Sequence, residues 1–318
     1  MRVRVFYRIL LLAFVFSGCH HSHQWNLVER KDRLDVMLGS RTVTSYRISG
    51  DLTKPVLFPV YSPSGIMMTR GFPLLEMPDE SRDHPHHIGQ FFTFDEVNGH
   101  HFWNNTESPP QIRHVEIVGK RTEGNTATLK SRSRWIGSHG IALLDEEREM
   151  IFRSKRDAYA IDFTIRLLAL DSTVTFSDTK EGLFAVRAAD WLTENRGGVY
   201  LSAEGRETEK EIWGQRSAWV RLEGKYRDRT AGLAILAHPE GVNYPPYWQA
   251  RAYGLFSCNP LGQQVYQQAH GQADPHPFGL ALKPGKYAEF RYRLLVYEGH
   301  RGASEMNQEF EDYAGRKP

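Results

Sequence analysis

The sequence is poor in cysteine, with two in 318 residues. If Cys19 is claimed by the N-terminal segment discussed below, only Cys258 is left, and no disulfide framework can form within one chain. Cys258 ends the apolar run Tyr253–Cys258 and reads as a buried core thiol. Long hydrophobic runs are missing as well. Beyond Ile9–Phe16 no stretch approaches the roughly 20 apolar residues of a membrane helix, and the mean hydropathy is −0.51. Neither sign of charge dominates, with 40 Lys and Arg against 38 Asp and Glu. The first eighteen residues hold three of those arginines and no acid, so the remainder carries about −1. With no basic block and no nucleic-acid motif, nucleic acid is excluded as a partner. No Pro/Ser-rich linker, low-complexity tract or internal repeat interrupts the chain. Residues 25–318 therefore read as a single domain, long enough for a sizeable core.

What is present begins at the N-terminus. Arg2, Arg4 and Arg8 form a basic region, Ile9–Phe16 is an apolar run of signal-peptide length, and Ser17-Gly18 precedes Cys19. Small residues directly before a cysteine suit a lipoprotein signal peptidase, whose product is acylated on the thiol. The pattern predicts a signal peptide over 1–18, lipidation at Cys19 and a tether over 19–24 that includes His20, His21 and His23. The expected protein is exported to the periplasm or cell surface and meets the membrane through its lipid anchor only.

Period-two alternation then dominates. Tyr159, Ile161, Phe163, Ile165 and Leu167 share one face, with Asp162, Thr164 and Arg166 opposite. Ala288, Phe290, Tyr292, Leu294 and Val296 repeat the pattern, and Ala127, Leu129 and Trp135 share the apolar face of a third strand. Shorter strands are expected over 34–38, 42–48, 89–94, 112–118, 141–152, 173–177 and 232–237. Turn residues such as Glu123-Gly124-Asn125 and Lys283-Pro284-Gly285 punctuate them. The best helix signal is 305–313. The fold class is all-β, an antiparallel sandwich or supersandwich with a short C-terminal helix.

Three clusters carry chemistry. In Arg82-Asp83-His84-Pro85-His86-His87, three of the fourteen histidines fall within four positions beside an aspartate. Imidazole and carboxylate can form an acid–base pair or hold a divalent metal ion, with Asp83, His84 and His86 as its ligands. In a regular strand His84 and His86 would face one way and His87 the other, but Pro85 makes a turn the expectation. The structural alternative is hydrogen bonding of the imidazoles to loop backbone. The second cluster, Asp178-Thr179-Lys180-Glu181, is either a tuned acid–base set or a charged turn. The third runs from His238 through Trp248, Arg251 and Tyr253 to Asn259, and combines aromatic faces with planar polar groups, as sugar recognition requires.

In order along the chain, Thr69-Arg70-Gly71-Phe72-Pro73, Asp83-His84-Pro85-His86-His87, Val97-Asn98-Gly99 with Phe102-Trp103, Asp178–Gly182 and the His238-to-Asn259 stretch resemble the family of exported bacterial proteins labelled "methane oxygenase PmoA". The likeness covers about residues 50 to 300. Where that family more often shows Arg-Gly-Leu-Trp-Phe after the histidines, this chain has Ile88-Gly89-Gln90-Phe91-Phe92, which removes a basic group at position 88. The label cannot describe the activity, because a membrane monooxygenase subunit needs several spanning helices. The resemblance implies a galactose-mutarotase-like fold and a saccharide substrate or ligand.

Two functions from different classes remain open at this point. One is a carbohydrate-active lyase, hydrolase or epimerase. In it His84, His86 or His87 is acid or base, and Asp178 or Glu181 is the complementary carboxylate. Arg70, Lys180, His238, Arg251, Tyr253 and Asn259 hold the sugar, and Trp103 or Trp248 stacks on it. The other is a non-catalytic glycan-binding or structural lipoprotein with an open aromatic platform. The enzyme requires the three clusters to converge.

Overall fold

The computed structural model describes residues 24–316. Residues 1–18, expected to be a signal peptide, together with Cys19, His20, His21 and His23, lie outside the described residues. Gln24, assigned to the tether, already belongs to the fold, since its carbonyl accepts the Gly39 N–H at 2.8 Å.

Two eight-stranded antiparallel sheets face each other. The first runs in the order Trp25–Glu29, Arg33–Leu38, Arg41–Arg47, Val56–Val60, Gln90–Phe94, Gly182–Arg187, Leu255–Asn259, Tyr247–Ala250. The second runs Val199–Ser202, Trp219–Tyr226, Arg229–Ala237, Tyr287–Glu298, Ala158–Ala169, Ala142–Ser154, Thr126–Ile136, Gln111–Glu123. The all-β sandwich expected from periodicity is what the chain forms. The alternating faces chosen from sequence, Tyr159 to Leu167, Ala288 to Val296 and Ala127 to Trp135, all point into the core between the sheets. Burying such side chains contributes about 1.5–3 kcal/mol each for the larger ones, so the register that buries them is strongly specified. Cys258 is fully buried there and burial pushes its thiol up.

The outer faces of the two sheets differ. On the second, ion pairs such as Arg132–Glu116, Arg134–Asp145 and Arg166–Glu289 line much of the surface. The helix Ala303–Ala314 covers the rest, packing Met306 and Tyr313 on Trp219, Leu295 and Tyr297. On the first, Val56, Phe58, Ile88, Phe91, Trp103, Ala185 and Leu255 form a second apolar layer outside the sandwich. The segment 61–89 and the turn at 251–254 lie against this layer and carry the histidines to it. Among the described residues no helix is long and apolar enough to cross a membrane.

Candidate functional site

The histidine loop is built on two buried arginines. Arg70, side chain fully buried, donates through Nη1 to the Asp83 carboxylate (2.5 Å) and carbonyl (2.7 Å), and through Nη2 to the carbonyls of His84 (2.9 Å) and His87 (3.2 Å). Arg187 ends a strand that is buried along its whole length, and its Nη2 reaches Asp83 Oδ1 at 2.6 Å and Ser81 Oγ at 3.2 Å. Asp190 fixes Ser81 from the other side, accepting its N–H and its hydroxyl, both at 2.8 Å. Glu80 accepts the N–H groups of Gly71 and Phe72 and so closes the segment into a loop.

Within this frame the loop turns where Pro85 predicted, with the His87 N–H donating to the His84 carbonyl at 3.0 Å. His84 takes a positive φ of 42°, a strained conformation of the kind that clusters at functional sites. The turn draws all three imidazoles together. His84 stacks on His87 at 4.9 Å between ring centres and, on its other face, on Tyr253 at 5.0 Å, while His86 meets His87 edge-on at 4.3 Å. Phe91 and Trp103 pack against His87 from below.

Environment sorts these groups by protonation. Burial, reinforced by Lys54 and the other nearby cations, lowers His86 to about 3 and His87 well below the usual imidazole value, so both are neutral at pH 7. Lys54, wholly buried against the Phe91 ring and with no hydrogen-bond partner among the described residues, is lowered by burial to about 7. Burial pushes the Asp83 carboxyl up, but Arg187, the His84 hydrogen bond and Arg70 outweigh it and hold the group below the usual range. Asp83 is therefore a carboxylate and accepts from His84 Nδ1 at 2.8 Å. With the proton on Nδ1, the Nε2 lone pair of His84 is available as a base. The His84 side chain is 41% exposed, so a ligand can reach it. Burial also pushes Tyr253 up and keeps its phenol protonated.

Several sequence expectations need correction. The proposed metal ligands Asp83, His84 and His86 do not converge. Among the described residues no group of three or more His, Cys, Asp or Glu is placed to hold a metal. The Asp83 oxygens are taken by Arg70, Arg187 and His84, and the rings stack rather than aim nitrogens at one point. Arg70 faces backbone, not solvent, and positions the loop. Trp103 and Trp248 are buried, Trp103 under His87 and Trp248 in the sandwich core, where its Nε1 donates to the Ser217 carbonyl. Neither offers a free ring face to a sugar. His238 lies against Tyr313 of the C-terminal helix, on the other sheet. Asp178 caps the helix Gln263–Ala269 by accepting the N–H groups of Gln264 and Val265, both at 2.8 Å. Asn259 bonds the backbone of Thr179 and Leu261, and Lys180 is exposed. Glu181 accepts from Gln249 Nε2 at 3.1 Å and touches none of the histidines. Arg251 pairs with Glu209 and lies 6.0 Å from the Tyr253 ring. Of the third cluster, then, Tyr253 joins the histidines, with Arg251 beside it.

Arg187, Lys54, Ser81 and Asp190 were missed. Arg187 had a signal: an arginine ending the apolar run Gly182–Val186 needs a partner or a purpose. Lys54, ahead of a strand, had none.

Fold and cluster together define an all-β sandwich that carries on its first sheet a stack of His87, His84 and Tyr253, with Asp83 bonded to His84. The chain belongs to DUF6807, a family of unknown function, which matches residues 33–311. No curated protein matches it. Among solved structures it is similar to the GH36 α-galactosidase AgaB of Geobacillus stearothermophilus, at 10% identity and a TM-score of 0.43, covering 89% of this chain and 42% of that one. It is similar to a doubly substituted AgaA α-galactosidase of the same organism in complex with raffinose, at 10% identity and a TM-score of 0.39, with the same coverage. It is also similar to a galactose mutarotase related enzyme from Lactobacillus acidophilus, at 10% identity and a TM-score of 0.31, covering 86% of this chain and 97% of that one. The chain thus spans less than half the length of the galactosidases. None of these likenesses decides an activity.

Proposed function

We propose that this chain is an exported, lipid-anchored carbohydrate-active enzyme of the proton-transfer kind, a lyase or epimerase, with His84 as its general base. The observation that carries this is the Asp83–His84 pair, held at 2.8 Å by two buried arginines with the imidazole partly open to solvent. The pair sets the tautomer, and the stack between His87 and Tyr253 sets the ring plane. Carboxylate-driven glycoside hydrolysis usually needs two carboxyl groups across the bond. Here Asp83 is committed to the arginines, Asp178 to a helix end and Glu181 to Gln249. Abstraction of a proton from carbon needs one base instead. In elimination the C–H proton passes to His84 Nε2, the C–O bond breaks as the C=C bond forms, and the leaving oxygen takes a proton from the Tyr253 phenol. In epimerisation the same abstraction by His84 is followed by protonation of the opposite face by the Tyr253 phenol or by water, after which His84 releases its proton to solvent. Trp103 and Trp248, the tryptophans expected to stack on a sugar, are inside the protein and do not supply the platform of the rival binding module.

The test is incubation of the full chain with uronate-containing and neutral oligosaccharides, read by mass spectrometry and isomer-resolving chromatography. The expected result is an unsaturated or isomeric product that His84→Asn does not form. A product that gains water and is unaffected by His84→Asn would overturn the reading, as would no new mass and no isomer.

A further inference from the structure

One cleft lies outside the histidine cluster, and no histidine lines it. It has a volume of about 480 Å³, within the range of small-molecule sites, and its walls include Asp79, Glu80, Asp190, Trp191, Arg196, Lys225 and Tyr226. No sequence motif pointed there. Trp191 and Tyr226 meet edge to face at 5.3 Å, and the indole N–H is spent on the Met67 carbonyl, which fixes the ring. Such a wall suits the C–H face of a pyranose.

Its charges are unevenly committed. Both Glu80 oxygens accept backbone N–H groups and both Asp190 oxygens hold Ser81. Arg196 and Lys225 are exposed, and among the described residues neither has a salt-bridge or side-chain hydrogen-bond partner. Two uncommitted cations thus stand against one uncommitted carboxylate, Asp79.

The cleft is also wired to the base. From its wall, Asp190 accepts the Ser81 hydroxyl (2.8 Å), Arg187 donates to Ser81 Oγ (3.2 Å) and to Asp83 (2.6 Å), and Asp83 accepts from His84 (2.8 Å). We infer that this cleft is a second saccharide subsite, which stacks one ring of an oligosaccharide on Trp191 and binds an anionic group on that ring through Arg196 and Lys225. The inference rests on the saccharide reading above and narrows it: the ligand is an acidic oligosaccharide rather than a free neutral sugar.

Calorimetric binding to the full chain tests it, with trigalacturonate, a sulfated galactotriose and neutral galactotriose as probes. The expected result is binding of one or both anionic probes at least about tenfold tighter than the neutral one, weakening as salt rises. Binding of trigalacturonate alone assigns a carboxylate, and of the sulfated probe alone a sulfate ester. An Arg196→Ala/Lys225→Ala variant should lose that preference. Both positions are exposed, so the fold is retained. Equal binding of neutral galactotriose, no binding of either anionic probe, or an unchanged affinity in the double variant would overturn the inference. His84→Asn separates the two proposals. It should abolish turnover and leave trigalacturonate affinity within about twofold, so either can fail while the other stands.

Discussion

The segments 83–87 and 178–181 look alike in sequence, each a short charged run with a carboxylate, a cation or imidazole and turn chemistry beside a strand of the first sheet. The structure gives them opposite fates. Asp178 meets two backbone N–H groups and completes a helix end. Asp83 meets Arg70 and Arg187, from segments 13 and 104 residues away, and through them orders a loop whose second residue, His84, bonds its free oxygen. The difference lies in what distant strands bring, not in the runs themselves. A carboxylate supplied only with backbone N–H becomes a cap, whereas one supplied with two buried guanidiniums has an oxygen left to orient an imidazole.

The largest effect should separate the two segments by rate. Asparagine tolerates the positive φ of position 84 but cannot accept a proton as imidazole does. His84→Asn should therefore lower kcat by about 10²–10⁴-fold, the range for a general base. Glu181→Gln, whose neighbour is Gln249, should change it by less than about threefold on the same substrate. A loss at Glu181 equal to that at His84 would return the 178–181 segment to the chemistry.

Stability should show a smaller contrast in the same direction. Asp83→Ala leaves Arg70 and Arg187 buried without their shared anion. Breaking a buried pair this way costs about 3–5 kcal/mol, and the low end applies because Asp83 itself keeps some contact with water. Asp178→Ala removes a cap and should cost about 1 kcal/mol. Denaturant unfolding of both variants measures the gap, and equal costs would show that the arginines are held by something else.

The pH dependence of the two carboxylates should run in opposite senses. Asp83 is held below its unfolded value, so its contribution is complete above that value and is lost as pH falls through the folded one. Burial pushes Asp178 up against its two backbone hydrogen bonds, so its ionised form is the costlier one, and its contribution falls as pH rises through the raised value. Between pH 3 and 7 the stability difference between the parent and Asp83→Asn should grow, and that between the parent and Asp178→Asn should shrink. Parallel slopes would break the comparison.

How far this was legible depends on what each residue needs to know. Strands with one wet face, such as Ala158–Ala169 and Tyr287–Glu298, were visible because alternation records a solvent boundary. Gly182–Arg187 and Leu255–Asn259 are buried on both faces and do not alternate, so they escaped as strands. These two carry Arg187 and support Tyr253. The histidines and the Pro85 turn were visible because their chemistry is local. Their partners were not, because antiparallel pairing across a sheet sets which side chain arrives at Asp83, and nothing in a short window encodes it. Trp248 was misplaced for the same reason: its aromatic neighbours in sequence suggest a platform, while its strand turns it into the core.

Lys54 gives the smallest effect. It lies beneath the histidines, over the Phe91 ring, and finds no anion among the described residues. A buried ammonium without a partner opposes folding, which is why burial lowers it to about 7. The folded chain therefore binds fewer protons at this position than the unfolded chain between about pH 7 and the usual lysine value near 10.4, and stability contributed here rises with pH across that window. Lys54→Met keeps the stem and removes the charge. At pH 6 to 7 it should be neutral or stabilising by about 1 kcal/mol. The parent should gain on the variant as pH rises from 7 to 10. If Lys54→Met instead destabilises the chain at pH 7 and weakens binding of an acidic oligosaccharide, the ammonium has a ligand partner, and the first sheet offers an anionic group a second contact beneath the base.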